Sequence, residues 1–298
     1  MFDFLKGGKA TVAVTVDRPA QPYFAGETVQ AKIEVQVQKE LKITEARAQL
    51  VCQEKYQYRD ESRDMDDDGG VSSSIEKKWA TVGQVVQQQQ LLPEGSLPTG
   101  FSRSFEFVAP IPADAPPTCQ NGKIVNVEWF VKATLARHLA RDIEALVPIR
   151  LLSAPTGEAA REGVYGFSNE PEEATLHFAL SSLEWCPGDT VQGTFVVQPQ
   201  KGFDVSEVRL ELVRQEYVPE GKGNTFREAK PVKLAGRTRL QPGQELAIPF
   251  SIVIPEAAPA TMRTHHSSVT WSLVGVLARS LRRDTYAEQE IFVFSRRR

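Results

Sequence analysis

The densest group of potential ligands in this chain is a run of carboxylates, RDESRDMDDDGGVSSSIE, from Arg59 to Glu76. Asp64, Asp66 and Asp68 alternate, Gly69 follows, and Val71 holds an apolar place, which approaches the D-x-D-x-D-G loop that wraps calcium. Calcium takes about six to eight oxygens, and that loop closes on a bidentate glutamate at its twelfth place. Here the twelfth place holds Ile75, Glu76 comes one residue late, and the flanks read as strands rather than helices. The simpler reading is a solvated acidic loop whose like charges repel. Long surface loops that interrupt a regular pattern carry function more often than the frame around them. Arg59–Ser74 is therefore the expected partner-contact segment, with Arg59, Asp60, Asp64, Asp66, Asp67 and Asp68 as its contact residues.

No other constellation matches it. His265 and His266 are adjacent, so on a strand they point to opposite faces and make a poor metal pair. His138 falls in a turn and His177 among apolar residues. No GxSxG elbow, HExxH pair or glycine-rich phosphate loop occurs, so neither an enzyme nor a bound cofactor is expected. Cys52, Cys119 and Cys186 are an odd, scattered set without CxxC spacing, and Cys52 continues the alternation of Ala46, Ala48 and Leu50 as a small core residue. Arg137, Arg141, Arg279, Arg282 and Arg283 cluster in two turns, where contact with an anionic membrane is the less favoured alternative to plain solubility charge. A net charge of −3 argues against a nucleic-acid partner. The start, MFDFLKGGK, lacks a signal-type apolar stretch, and a cytoplasmic protein is expected.

The elements that must hold these residues have a period of two. Val12, Val14 and Val16 alternate with polar or small residues, as do Ile33, Val35 and Val37, and later Val125, Val127, Trp129, Val131 and Ala133. One-sided alternation suits antiparallel sheets with one wet face. Prolines and glycines punctuate the runs, LLPEGSLPTG at 91–100 and PIPADAPPT at 110–118 among them.

The pattern occurs twice. In YFAGETVQ and WCPGDTVQ, Gly26 matches Gly188 and Thr28-Val29-Gln30 matches Thr190-Val191-Gln192; farther on, Gln53-Glu54 matches Gln215-Glu216 at the same spacing. Later, EWFVKATLARHLARD (128–142) parallels TWSLVGVLARSLRRD (270–284), with Trp129 against Trp271 and Asp142 against Asp284. The spacing between copies shrinks from one block to the next, so the first copy carries extra residues between them, and the acidic segment accounts for most of that excess. Many short strands in two copies predict an all-β chain of two tandem immunoglobulin-like β-sandwich domains. Their expected bounds are 1–152 and 174–298, with 153–173 as linker. Trp129 and Trp271 are expected as core wedges.

The segment FSRSFEFVAPIPADAPPTCQNGKIVNVEWFVKATLAR (101–137) resembles the signature of the arrestin clan: an F-x-F strand, a proline-bounded loop, a glycine, then an aromatic strand ending V-K-A-x-L. FAGETVQAKIEV and WCPGDTVQGTFVV resemble the clan's earlier P-G-E-x-V-x-G-x-V block. The two halves resemble the N-terminal and C-terminal arrestin domain types, in a layout similar to the bacterial sporulation-control members. This resemblance implies a non-catalytic adaptor or scaffold that binds protein partners, with Arg59–Ser74 in the place of the loop that arrestins insert into a receptor. The alternative is a peripheral membrane or calcium-responsive binding module. No PPxY motif, the ligase-recruiting signal of trafficking adaptors, is present.

Overall fold

A computed structural model describes residues 9–65, 71–155 and 167–295. Its regular elements are all strands. The first copy holds β1 (Ala10–Val16), β2 (Tyr23–Phe24), β3 (Thr28–Val37), β4 (Leu41–Ile43), β5 (Glu45–Met65), β6 (Val71–Leu92), β7 (Gly95–Leu97), β8 (Ser102–Pro110), β9 (Val125–Ala136), β10 (Ile143–Ile149) and β11 (Leu151–Leu152). The second holds β12 (Phe167–Ser168), β13 (Ala174–Leu180), β14 (Glu184–Trp185), β15 (Thr190–Pro199), β16 (Phe203–Val205), β17 (Glu207–Val218), β18 (Asn224–Ala235), β19 (Thr238–Leu240), β20 (Leu246–Val253), β21 (Met262–Arg263), β22 (Ser268–Ala278) and β23 (Thr285–Val293).

The repeat read from sequence is a repeat of topology. Sheet β1-β3-β8 has its counterpart in β13-β15-β20, and β10-β9-β5-β6 has its counterpart in β23-β22-β17-β18. The small pairs β4-β7 and β16-β19 correspond as well. So do two short parallel pairings, Tyr23 with Leu151 and Trp185 with Val293. Gly26 and Gly188 both take φ +84°, a left-handed turn that suits glycine, just before β3 and β15. Phe167–Ser168, inside the expected linker, pairs with β23.

The period-two residues form the cores. Ile33, Val35 and Val37 are buried on β3, and Val125, Val127, Trp129, Val131 and Ala133 on β9. In the second copy Phe178, Phe195, Leu210, Leu212, Trp271 and Leu273 share one cluster. The two tryptophans are anchored alike. Trp129 Nε1 donates to the Pro116 carbonyl and Trp271 Nε1 to the Pro259 carbonyl, each at 3.0 Å. A buried indole needs such a partner, and the proline-bounded loop supplies it in both copies.

The chain divides into two compact units. One holds residues 1–56, 79–120 and 126–153, and the other holds 57–78, 121–125 and 154–298. The distal half of the β5–β6 hairpin thus groups with the second unit, as does the short stretch 121–125.

Candidate functional site

Arg59 and Asp60 lie on β5, which runs through to Met65, and β6 resumes at Val71. Much of the expected loop is therefore hairpin arm. The reason is visible in the residues: Tyr56, Tyr58 and the β-tolerant Ser72–Ile75 continue both strands. Asp64 belongs to β5 by its backbone; its side chain, together with Asp66, Asp67 and Asp68, lies outside the described residues. The calcium reading of Asp64, Asp66 and Asp68 falls there as well.

Within the second unit the hairpin's described part is firmly tied. Arg59 pairs with Gly221 in a parallel bridge, and its carbonyl accepts the Lys222 N–H at 2.9 Å. Lys222 Nζ lies 2.8 Å from Glu61. Asp60 accepts a hydrogen bond from Lys78 Nζ at 2.7 Å, which holds its carboxyl below the usual range and raises the lysine. Both partners are well exposed, so this pair orients the strands more than it stabilises them. Asn224 Nδ2 donates to the Gln57 carbonyl at 2.9 Å.

Beside these ties sits a buried carboxylate that residue-by-residue reading passed over. On β17 the residues Val208, Leu210, Leu212, Arg214, Glu216 and Val218 share the buried register. Glu216 is fully buried. Its Oε2 accepts N–H groups from Lys123 at 2.8 Å, Ile124 at 2.8 Å and Val125 at 3.2 Å, and its Oε1 takes a second contact from Lys123 at 3.0 Å. Successive backbone N–H groups curled around one anion form a nest. Gly122 makes the curl sterically feasible, because a Cβ there would meet the Val125 carbonyl oxygen at 1.7 Å. This is the single glycine of the arrestin-like signature, and its requirement is close approach of backbone rather than a left-handed φ.

Arg214 lies behind the carboxylate, with its guanidinium 3.6 Å from Glu216, 3.1 Å from Glu228 and 5.1 Å above the Phe226 ring. Nε and Nη2 stand within ion-pair reach of these carboxylates but outside hydrogen-bond geometry. The signal for Glu216 was in the repeat. Glu54 and Glu216 occupy equivalent core-facing positions, and Glu54 is also buried.

The basic turns are structural in part. Arg137 N–H donates to Asp142 Oδ1 at 2.9 Å and Arg279 N–H to Asp284 Oδ1 at 3.0 Å, closing both turns alike. The Arg279 guanidinium pairs with Glu173 and lies 4.5 Å above Phe203. At the tips, Leu139 and Leu281 take φ of 56° and 64° and are 95% and 104% exposed. His265 and His266 rings meet edge-on at 4.8 Å, and among the described residues no group of three His, Cys, Asp or Glu could hold a metal. Cys52 and Cys119 are buried and Cys186 is half-buried. No helix among the described residues is long and apolar enough to cross a membrane.

Residues 8–156 match the family model of the arrestin (or S-antigen) C-terminal domain, and residues 172–281 match the SpoOM protein model. The first match spans half of the sequence, and the chain belongs to the arrestin family. The half that resembles the N-terminal domain type by its motifs is thus matched by the C-terminal-domain model. A comparison with curated proteins returned no match. Arrestin-family domains are non-enzymatic folds and suggest a protein-binding, regulatory role.

Proposed function

We propose that this chain is a non-catalytic adaptor that holds a protein partner at the far end of the β5–β6 hairpin. Asp64, Asp66, Asp67 and Asp68, in or beside the stretch that joins the two strands, supply its charge, and Arg59 and Asp60 belong to the tied arm that leads to it. The observation that supports this is a difference between copies. The arms of β5 and β6 run 21 and 22 residues, against 12 and 12 for β17 and β18. The extra length has no counterpart in the second copy, and the stretch that joins the two arms is the most acidic run of the sequence. An acidic tip favours a basic partner surface and speeds its encounter at low salt.

The test is an affinity pull-down with the intact chain against D64N/D66N/D67N/D68N. Loss of a specific partner from the substituted chain, restored at no other site, supports the proposal. An identical set of captured proteins refutes it.

A second reading, contact with an anionic membrane, is favoured by Leu139 and Leu281. A non-glycine residue at left-handed φ stores about 1–3 kcal/mol of strain. Here the strain presents a leucine to solvent at equivalent turns, beside Arg141 in one and Arg282 and Arg283 in the other. Each such arginine near an anionic surface contributes about 1 kcal/mol. Co-sedimentation with phosphatidylserine vesicles that is lost in L139E/L281E would support this reading. Equal absence of binding to anionic and neutral vesicles ends it.

A further inference from the structure

Among the described residues β6 is the terminal strand of its sheet, paired with β5 in the order β10-β9-β5-β6. Its counterpart β18 ends the corresponding sheet of the second copy. The two edges are protected very differently. β18 carries Arg227, Glu228, Lys230, Pro231 and Lys233 within twelve residues. Charges and proline on an edge strand block the approach of a further strand, since proline offers no N–H and a charge resists desolvation. From Trp79 through Leu92, WATVGQVVQQQQLL, β6 has no charged residue and no proline. Trp79, Val82 and Val85 are 45%, 36% and 48% exposed, and Thr81, Gly83 and Gln84 are exposed between them. The same molecule therefore guards one edge and leaves the equivalent one open.

We propose that β6 pairs antiparallel with β6 of a second copy of this chain, about a two-fold axis at Gln84, so that two four-stranded sheets become one continuous sheet. Three features select a second copy over another strand. Gln84 and Gln87–Gln90 carry amides that both donate and accept, so the run is complementary to itself. The antiparallel sense carries the Lys77–Lys78 end of each copy toward the Glu94 end of the other, whereas a parallel pairing would align like charges. Centred on Gln84, the register sets Val82 of each copy opposite Val86 of the other, and Gly83 opposite Val85, where the missing side chain makes room.

The size of the contact sets its strength. A ladder from Trp79 to Gln89 is about 35–40 Å long, and with side chains about 10 Å high it buries roughly 700–800 Å² in total. That is below the ~1,000 Å² of a durable interface, so the dimer is a micromolar, concentration-dependent one. A two-fold contact of this kind closes on itself and adds no third copy through the same edge. The inference is independent of what the acidic tip binds, because Trp79–Gln90 lies outside Arg59–Ser74.

Sedimentation of the full chain from about 1 to 200 µM tests it. The weight-average mass is expected to climb from 33.1 kDa toward twice that value. V82K/V85K, which places charge on both exposed faces of the strand, is expected to stay at the monomer mass with an unchanged circular dichroism spectrum. A register test stands beside it in a C186S background, where Cys52 and Cys119 are buried and silent. Q84C should form a disulfide-linked dimer under mild oxidation, because the two residues at the axis face each other within disulfide reach. Q87C should not, its symmetry mate lying about 20 Å away. The proposal is overturned if the native chain remains monomeric throughout, if V82K/V85K dimerises as well as the native chain, or if Q87C cross-links as fast as Q84C.

Discussion

Replacing Glu216 should unfasten the second unit from within. In Glu216→Ala the Lys123, Ile124 and Val125 N–H groups lose their shared acceptor, and Arg214 loses a carboxylate 3.6 Å away. Hydrogen bonds to a charged group contribute about 1.5–3 kcal/mol each, but their simple sum overstates the loss. The Lys123 amide is only partly buried and regains water, while Ile124 and Val125 do not. Removing one member of a buried charged set typically costs about 3–5 kcal/mol, and that is the expected destabilisation. Glu216→Gln keeps one acceptor oxygen and the shape, so about 1–2 kcal/mol is expected from the lost charge assistance. Urea unfolding reads this directly: with a slope near 2 kcal/mol/M, the alanine variant's midpoint falls by about 2 M. Hydrogen exchange localises it, since the Ile124 and Val125 amides should lose protection first. Gly122→Ala breaks the same nest from the other side, so the double variant should be much less destabilised than the two single effects added together. An unchanged midpoint with unchanged exchange at 124 and 125, or simple additivity of the two substitutions, would refute the nest as the fastening.

The duplicated tryptophans should behave as a pair. Trp129→Ala and Trp271→Ala each cost about 3–5 kcal/mol by melting, and the phenylalanine variants about 1–3, because they leave the Pro116 or Pro259 carbonyl unpaired. Unaltered melting of either alanine variant would contradict their place in the core. Burial, and then the nearby Glu54 charge, pushes the Cys52 thiol up to about 12, and burial with a hydrogen bond to Asp17 raises the Tyr23 phenol. The folded chain keeps these protons while the unfolded chain releases them from about pH 9 upward, so their stabilisation is whole below that point and declines toward about pH 12. The melting temperature should therefore fall across that window, less steeply in Cys52→Ala, and native Cys52 should resist alkylation at about pH 8 until denaturant is added. Calcium in the millimolar range should leave melting unchanged, because the glutamate that closes such a loop is displaced to Glu76; a rise of several degrees would restore the calcium reading.

Much of the fold was legible because sandwich strands write themselves with period two. Val125, Val127, Trp129, Val131 and Ala133 declare their buried face in the bare sequence, and the second copy repeats the statement at Trp271. The length of the β5–β6 arms was not legible. Residues such as Arg59, Asp60 and Glu61 read as loop by their charge, yet each is held by a partner remote in sequence: Gly221, Lys78 and Lys222. Glu216 was hidden for a related reason. A charged residue at a core-facing position looks like a break in the alternation, and its acceptor role depends on N–H groups of residues 123–125, some ninety positions away. The clue lay in the repeat, where Glu54 stands in the same register. The clan-like motif pointed at Gly122 without giving the cause, which is the close approach of the Val125 carbonyl.

The most direct test of the adaptor account is site-specific photo-crosslinking in a lysate of the source cell. A benzophenone amino acid replaces Asp67, in the acidic stretch between β5 and β6, in one chain and Lys230, on the guarded edge of β18, in another. A discrete heavier adduct is expected from position 67, weakened as salt is raised, and none of that mass from position 230. The same adducts from both positions, or none from position 67, would contradict it.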